Sequence, residues 1–248
     1  MRLETVNAKS RLYAILGDPI SHSMSPVIMN SAFDRLGLDS VFLALPANLE
    51  TVARVMEAMR LIDLKGYVFT MPVKEAVLPY MDALSDEAEM IGAVNCAVNE
   101  GGRLTGYNTD STGFWTAVQE KNAGAVSIRK VFIMGAGGFA RAAAAQAALQ
   151  GVGEIVVANK FSHTAFLESF QRFRERLSAR CPQTFVKLLD WDGAAWEAEL
   201  ADCQLIANAT PNGMKNQGDL HSFFPYAAVS PAAIFFDAIY DPYHTRFL

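Results

Sequence analysis

Residues 130–140 read KVFIMGAGGFA, a compact apolar run that enters a glycine-rich loop. Gly135, Gly137 and Ala140 fit the spacing G-x-G-x-x-G/A, which gives a tight turn, close approach of the backbone to a pyrophosphate, and close packing of helix on strand. The alanine-rich stretch that follows, to Leu149, predicts a helix. A strand before the loop and a helix after it are the context in which this motif predicts a dinucleotide site, because phosphates bind at the helix amino terminus.

The chain downstream of this loop alternates between strand-like and helix-like patterns. Short apolar runs predict further strands at 154–158, 185–188, 205–207 and 234–236. A helix is predicted from residue 162 to about residue 179. The alternation predicts a Rossmann-like domain, a doubly wound parallel sheet covered by helices on both faces.

The chain upstream of the loop has a second α/β pattern. Strands are predicted at 12–16, 41–45, 66–69 and on both sides of Gly101-Gly102. Helices are predicted from about Pro26, over 49–62, after Lys74, after Leu84, and from Ser111 to about Glu120. Because a single hydrophobic core stops growing near ~250 residues, the 248 residues could form one large domain or two smaller ones. We expect two, a substrate-binding α/β domain at 1–110 and the dinucleotide-binding domain at 111–248.

Composition favours a soluble globular protein. Hydrophobic residues make up 51% of the 248 residues, but no apolar run reaches the ~18 residues that cross a bilayer. The net charge of −5 gives no general attraction for nucleic acid. Residues 1–9 lack the apolar region of a signal peptide, and three scattered cysteines fit reduced thiols, so we expect a cytoplasmic protein. No cluster of His, Cys, Asp or Glu in the sequence has metal-ligand spacing, so no metal is expected.

Two charged residues ahead of the glycine-rich loop are candidate catalytic groups. Lys74 ends the segment TMPVK, and Asp110 ends the segment GYNTD. An ammonium and a carboxylate beside a nucleotide site can pass a proton to or from a hydroxyl while a nicotinamide takes or gives a hydride. That is the chemistry of an alcohol dehydrogenase. The plainer interpretation is that both groups are solvated surface charges.

The position about 20 residues beyond the loop bears on the choice of cofactor, because an NAD site usually presents Asp or Glu to the ribose hydroxyls there. This chain has Asn159-Lys160 instead. A neutral side chain followed by a cation favours NADP, whose 2′-phosphate the cation can pair with, over NAD. The alternative is that Lys160 is a solvated loop lysine, and lysine is a poorer bidentate phosphate partner than arginine.

Six segments together resemble the shikimate and quinate dehydrogenase family. They are 22–26 (HSMSP), 70–74 (TMPVK), 92–95 (GAVN), 106–110 (GYNTD), 135–138 (GAGG) and 208–214 (NATPNGM). They occur in order over nearly the whole chain. The resemblance implies a substrate domain, a Rossmann cofactor domain and a cleft between them. It implies an NADP-preferring enzyme that interconverts shikimate and 3-dehydroshikimate.

The resemblance also implies roles for residues of the substrate site. Ser23 and Ser25 are expected to hydrogen-bond the carboxylate of a cyclohexane acid, and Tyr240 to approach the same group. Those expected to hold the ring hydroxyls are Thr70, Asn95, Lys74 and Asp110. Lys74 and Asp110 are then the pair that handles the proton at the carbon that exchanges hydride.

The expected cofactor contacts follow from the same resemblance. The residues implied to hold the pyrophosphate are Gly135, Ala136, Gly137, Gly138 and Phe139. Those implied to surround the adenosine ribose are Asn159, Lys160 and Phe161. Those implied to border the nicotinamide are Thr210, Met214 and the backbone at Ala238.

Several of these residues have a plainer interpretation. Ser25 precedes Pro26 and could cap a helix whose first position is proline. Asn95 could close a turn, and Thr70, ahead of Met71-Pro72, could be an ordinary extended residue. His22, beside a turn, is interpreted as structural rather than catalytic.

The chain departs from the family pattern at some positions. Val68 stands where members that reduce dehydroshikimate commonly have asparagine, Met29 where histidine or glutamine is familiar, and Phe139 where the glycine loop usually has a small residue. Residues 245–248 resemble the start of a helix that the family continues through a tail with a substrate-contacting glutamine, and we expect that tail to be absent.

These departures keep two other functions open. One is a quinate or shikimate/quinate dehydrogenase that uses NAD. The other is a regulatory protein that binds nucleotide or shikimate with little catalysis, against which the presence of both Lys74 and Asp110 argues.

Overall fold

The computed structural model of the protein describes residues 6–214 and 217–248. The chain divides into two compact units between Thr109 and Asp110, and each unit contains one β-sheet. Within the described residues, no helix combines the length and the apolar character needed to cross a membrane.

Over its described residues, 6–109, the first unit contains six strands and three α-helices. The strands are β1 (Arg11–Gly17), β2 (Ser40–Pro46), β3 (Gly66–Phe69), β4 (Ala83–Leu84), β5 (Cys96–Glu100) and β6 (Arg103–Tyr107). The helices are α1 (Ser25–Arg35), α2 (Val52–Leu61) and α3 (Asp86–Ile91). The sheet has the order β2-β1-β3-β5-β6-β4. Its core includes the buried side chains of Leu16, Tyr67, Phe69, Val94 and Leu104.

The sheet of the first unit is mixed. Strands β2 and β3 pair parallel to β1, whereas β5 pairs antiparallel to both β3 and β6. A tight turn at Gly101 and Gly102 joins β5 to β6, and both glycines have positive φ angles, 63° and 92°. Glycine is favoured here because the turn that matches the strand twist needs positive φ at both central positions.

The segment after Lys74 corrects a sequence prediction. A helix is expected there, but residues 71–77 form turns that lead into a short 3₁₀ helix at Leu78–Tyr80. Pro79 has no backbone N–H to donate, which disfavours a continuous α-helix through this region. The helix expected after Leu84 is present as α3, which begins where Ser85 Oγ accepts a hydrogen bond from Ala88 N at 3.2 Å.

In the second unit, the part of the chain that the structure describes forms five strands and four α-helices. The strands are β7 (Lys130–Met134), β8 (Glu154–Ala158), β9 (Phe185–Leu189), β10 (Leu205–Asn208) and β11 (Ile234–Asp237). The helices are α4 (Asp110–Asn122), α5 (Gly138–Leu149), α6 (Thr164–Arg180) and α7 (Gly193–Leu200). All pairs in the sheet are parallel, in the order β11-β10-β7-β8-β9. The predicted α/β class, with a doubly wound parallel sheet in the second half of the chain, is confirmed.

This strand order places a topological switch point in the second unit. The chain runs outward from β7 through β8 to β9, then returns to the other side of β7 as β10. The carboxyl ends of β7 and β10 therefore flank a topological switch point, where open α/β sheets bind their ligands. Every residue of β7 is buried, as its apolar sequence requires for a central parallel strand.

Candidate functional site

The glycine-rich loop lies between β7 and α5, at the switch point. Gly135 has a φ of 106°, and a Cβ there would lie 2.9 Å from the Ala209 carbonyl oxygen, so this position requires glycine. Gly137 is the N-cap residue of α5. The amino terminus of α5 therefore follows the loop directly, where its N–H groups and dipole favour a phosphate.

Phe139 occupies a position of the loop where the family pattern has a small residue. Its ring stacks on Phe236 of β11 at 5.9 Å between centroids and meets Phe114 of α4 edge-on at 6.1 Å. Phe114 and Phe236 are themselves 4.8 Å apart. The Phe139 side chain thus packs the first turn of α5 against both α4 and β11.

The loop after β8 contains the predicted adenosine residues. Asn159 is buried, and its backbone N–H donates to the Leu189 carbonyl oxygen at 3.0 Å, whereas Lys160 and Phe161 are exposed. The Phe161 N–H donates to Asp190 Oδ1 at 2.9 Å. The position of this loop is therefore fixed by the carboxyl end of β9, and its cation is accessible.

Asp190 was not identified from the sequence. Its Oδ1 also accepts a hydrogen bond from Trp191 N at 2.8 Å, and the two backbone N–H groups hold the pKa of this carboxyl below its ordinary value. The available signal was an acidic residue directly after a predicted strand of a parallel sheet, the place where such sheets carry functional side chains.

The predicted nicotinamide residues surround a buried amide. Asn208, at the end of β10, accepts hydrogen bonds on its Oδ1 from Thr210 N at 3.0 Å and from Thr210 Oγ1 at 2.7 Å. Its backbone carbonyl accepts from Ala238 N at 3.0 Å. Met214 N donates to the Pro211 carbonyl at 3.0 Å, which closes the turn after Thr210. Thr210, Met214 and Ala238 thus belong to two loops that Asn208 joins.

Asp237, at the end of β11, extends this network. Asn208 Nδ2 donates to Asp237 Oδ1 at 2.9 Å, and Thr245 Oγ1 donates to Asp237 Oδ2 at 2.6 Å. The Ile239 N–H also donates to Oδ1, at 3.1 Å. Sequence reasoning assigned no role to Asn208 or Asp237, although both stand at the carboxyl ends of predicted strands. Tyr240 follows in the same loop and is 56% exposed.

Ser23 and Ser25 lie at the start of α1. Ser23 Oγ accepts a hydrogen bond from Ser25 N at 3.2 Å. Ser25 is the first helical residue and Met24 is the N-cap, so the alternative in which Ser25 caps the helix is wrong. Both serines are partly exposed at the helix amino terminus, and His22 beside them is exposed.

Thr70 and Lys74 follow β3. Thr70 N donates to the Leu16 carbonyl at 3.0 Å. The Thr70 methyl group occupies the position that a side chain at Gly17 would need. The Lys74 carbonyl accepts from Val94 N at 2.8 Å, and the Lys74 side chain is partly buried. The segment that contains Lys74 is therefore bound to the segment that contains Asn95.

Asn95 in turn holds the segment that leads to Asp110. Its Oδ1 accepts from Thr109 N at 2.9 Å, and its Nδ2 donates to Thr109 Oγ1 at 3.0 Å. Asn108 Nδ2 donates to the Ala93 carbonyl at 3.0 Å. The Asn95 side chain thus anchors Thr109, 14 residues further along the chain in the loop that ends at Asp110, rather than closing a local turn.

Asp110 is the first residue of α4. A carboxylate in the first turn of a helix is stabilised by the helix dipole and by the amide groups of that turn. Asp110 is partly exposed, so it remains accessible from the solvent. Lys74 belongs to the first unit and Asp110 to the second.

The three cysteines, Cys96, Cys181 and Cys203, form no disulfide bonds, and the last two are buried. Burial raises the pKa of Cys203 to about 12, so it stays protonated and unreactive near neutral pH. Over the described ranges, 6–214 and 217–248, no three His, Cys, Asp or Glu side chains are grouped to hold a metal ion.

One cavity lies away from all of these residues. It has a volume of about 400 Å³ and is lined by residues that include Arg174, Gln183 and Phe185. These surround the amino end of β9, whereas the glycine-rich loop follows the carboxyl end of β7. We therefore do not assign the cavity to the cofactor site.

Known proteins resemble the chain over most of its length. A model of the shikimate dehydrogenase substrate binding domain matches residues 15–97. A protein of Citrifermentans bemidjiense named shikimate dehydrogenase (NADP(+)) is 36% identical over 238 residues, which cover 96% of this chain and 80% of the relative.

Solved structures agree with these matches. The shikimate 5-dehydrogenase of Listeria monocytogenes, in complex with shikimate and NAD, has a TM-score of 0.83 and 35% identity, and the match covers 98% of this chain and 83% of that one. The quinate dehydrogenase of Corynebacterium glutamicum, in complex with NAD, has a TM-score of 0.80 and 25% identity over 95% of this chain and 82% of that one. The present chain is 36% identical to the Citrifermentans bemidjiense relative over 96% of its own length, and it therefore belongs to the shikimate dehydrogenase family.

Proposed function

We propose that this protein is an NADP-preferring shikimate dehydrogenase, which interconverts shikimate and 3-dehydroshikimate by hydride transfer. The relative named shikimate dehydrogenase (NADP(+)) supports both the reaction and the cofactor. The observation that carries the proposal is the set of hydrogen bonds that join Lys74 to Val94 and Asn95 to Thr109. These bonds fix the segment of the candidate catalytic lysine and the segment that enters Asp110.

Lys74 and Asp110 are proposed to handle the proton of the reacting hydroxyl. NADP, when bound, supplies the hydride acceptor. In oxidation the hydroxyl proton passes to the Asp110 carboxylate and the carbon gives up a hydride, and negative charge develops on the oxygen as the proton leaves ahead of the hydride. The Lys74 ammonium stabilises this charge. Removing either group leaves the other unbalanced.

The substrate carboxylate is proposed to bind Ser23, Ser25 and Tyr240. The two serines stand at the amino terminus of α1, where the hydroxyls and the helix dipole both favour an anion. Thr70 and Asn95, with Lys74 and Asp110, are proposed to hold the ring hydroxyls.

The cofactor is proposed to bind along the carboxyl ends of β7, β8 and β10. The pyrophosphate contacts are Gly135, Ala136, Gly137, Gly138 and Phe139, and the positive φ of Gly135 and the start of α5 support them. The adenosine contacts are Asn159, Lys160 and Phe161. The nicotinamide contacts are Thr210, Met214 and Ala238. The exposed Lys160 favours NADP, because a cation can pair with its 2′-phosphate.

We place the enzyme in the cytoplasm. Three cysteines without disulfide bonds, of which two are buried, fit a compartment in which thiols stay reduced. Its proposed partners are the small-molecule substrate and the dinucleotide.

The test is a matrix of steady-state rates with shikimate and quinate, each against NADP and NAD. We expect the highest kcat/KM with shikimate and NADP. A preference for quinate and NAD would instead support a function like that of the similar quinate dehydrogenase of Corynebacterium glutamicum. Nucleotide binding without turnover of either acid would contradict the assignment as an enzyme.

A further inference from the structure

A row of phenylalanine side chains on α6 extends from the buried core to the glycine-rich loop. Phe166, Phe170 and Phe173 recur at the spacing that places side chains on one face of a helix. Phe170 and Phe173 are buried, with 1% and 0% exposure, and their rings lie 5.5 Å apart. Phe166, one turn nearer the amino terminus of α6, is 47% exposed. The row therefore presents one large ring that the core does not cover.

The ring of Phe166 lies beside the glycine-rich loop. A Cβ built on Gly137 would be 3.8 Å from Phe166 Cε1, and no other described atom beyond the adjoining backbone comes within 4 Å of it. In the G-x-G-x-x-G/A motif this second glycine is where the backbone closely approaches the pyrophosphate. Phe166 thus borders open space next to the proposed phosphate position.

Phe166 is also held close to the proposed adenosine loop. Its N–H donates to the His163 carbonyl at 3.1 Å, and the His163 N–H donates to the Lys160 carbonyl at 2.9 Å. The rings of His163 and Phe166 have centroids 6.2 Å apart. Two successive backbone hydrogen bonds therefore connect Phe166 to Lys160, the residue proposed to bind the 2′-phosphate.

We propose that Phe166 is a cofactor-contacting residue whose ring forms the apolar wall of the adenosine half of the site. Adenosine carries a flat aromatic base, and a half-exposed phenyl ring gains by covering such a surface. This role differs from that of Lys160, because adenosine is common to NAD and NADP whereas the 2′-phosphate is found only in NADP. The inference rests on the proposed dinucleotide function of the loop.

The experiment measures dissociation constants by titration calorimetry for NADP, NAD and ADP-ribose, without an acid substrate. We expect Phe166→Ala to weaken all three by a common factor of about tenfold, the scale of one aromatic stacking contact. Phe166→Tyr should bind like the unaltered protein. Lys160→Ala should weaken NADP far more than NAD or ADP-ribose, because only NADP carries the 2′-phosphate, and this unequal effect separates the two contacts.

Phe185→Ala is the matched control. Phe185 is 63% exposed, but it starts β9 and so lies at the opposite end of the parallel sheet from the glycine-rich loop. Its replacement should leave all three dissociation constants unchanged. Thermal unfolding of each variant distinguishes a lost contact from lost folding, because a folded Phe166→Ala protein keeps the melting temperature of the Phe185→Ala control within a few degrees.

The outcomes separate this inference from the proposed function. Binding of the three nucleotides to folded Phe166→Ala as tightly as to the unaltered protein would overturn the inference alone. Tighter binding would overturn it too, since the ring would then obstruct the site. Intact nucleotide binding without oxidation of shikimate would overturn only the proposed function, and no nucleotide binding to the unaltered protein would overturn both.

Discussion

Lys74 is partly buried, and its backbone is fixed by the hydrogen bond from Val94 N at 2.8 Å. We expect Lys74→Ala to lower kcat by about 10²–10⁴-fold, the range for a group that assists proton transfer. The KM for shikimate should change far less, because the ammonium acts on charge that develops in the transition state. Steady-state kinetics with NADP measures both. Lys121→Ala, which removes an exposed lysine near the end of α4, is the control. An unchanged kcat would exclude Lys74 from the mechanism.

Lys160 is exposed in the loop after β8. Lys160→Asp should reduce the ratio of kcat/KM for NADP to that for NAD by about tenfold or more, because a carboxylate there repels the 2′-phosphate. The ratio is measured at saturating shikimate. Lys121→Asp makes the same charge change on α4, and its ratio should match that of the unaltered protein. If Lys160→Asp kept the original ratio, the cation would have no part in selecting NADP.

Residues that act through other residues were the hardest to find from the sequence. The glycine spacing and the segment GYNTD identified the loop and Asp110, because these motifs carry chemistry in the residue types themselves. Asn208, although it lies in the segment 208–214, and Asp237 were assigned no role. Their importance depends on two strands that meet only in the folded sheet. Whether the predicted contacts bind substrate and cofactor stays a prediction, which the substitutions above test.

At the scale of secondary structure, Glu199 links α7 to two strands. It forms ion pairs with Lys130 of β7, at 2.9 Å, and with Lys187 of β9. We expect Glu199→Gln to lower the free energy of unfolding at pH 7 by about 1–3 kcal/mol, since Lys130 loses one of its carboxylates in a largely buried position. Urea denaturation measures the change. Glu197→Gln, at an exposed position of the same helix, should have little effect.

The effect of Glu199→Gln should depend on pH. Hydrogen bonds from Lys187 and Lys130 hold the pKa of Glu199 below its ordinary value of 4.5. Its contribution to stability is therefore full above pH 4.5 and is lost as the pH falls through the lower pKa of the folded state. The difference between the two proteins should shrink in that acidic range. A difference that stayed constant there would contradict the ion-pair origin of the effect.

Elements with a strong local signal were predicted well. The apolar run 130–134 forms a strand, and a helix begins directly after the glycine-rich loop, as predicted. Both were predictable because the run of apolar residues and the glycine spacing are visible in the sequence. The helix expected after Lys74 is absent, because Pro79 has no N–H for a helical hydrogen bond. The apolar spacing of the segment predicts a helix only if this effect of the proline is ignored.

At the scale of the whole molecule, cofactor binding should appear as stability. NADP at 100 times its dissociation constant should add about 2.7 kcal/mol to the folded state, which corresponds to a rise of about 8 °C in the Tm of the second unit. NAD at the same concentration should give a smaller rise. Differential scanning calorimetry measures both, with sodium chloride at matched ionic strength as the control. A larger rise with NAD would contradict the NADP preference.

The family was recognisable from the sequence, and relatives at about 35% identity confirm it. Strand alternation predicted a parallel sheet in the second half of the chain, which is also confirmed. The order β2-β1-β3-β5-β6-β4 of the first sheet was not predicted. Pairing order depends on contacts between segments far apart in sequence, and local periodicity contains little information about them.

The two rims of the second sheet carry different groups of residues. Lys130 and Glu154, which begin β7 and β8, belong to the ionic cluster with Glu199, whereas the glycine-rich loop and Asn208 occupy the opposite rim. Changes that adapt the protein to heat or salt can thus accumulate on the ionic rim without altering the rim that is proposed to bind the cofactor. Laboratory evolution for thermal robustness should concentrate its accepted substitutions on that ionic rim and leave turnover intact.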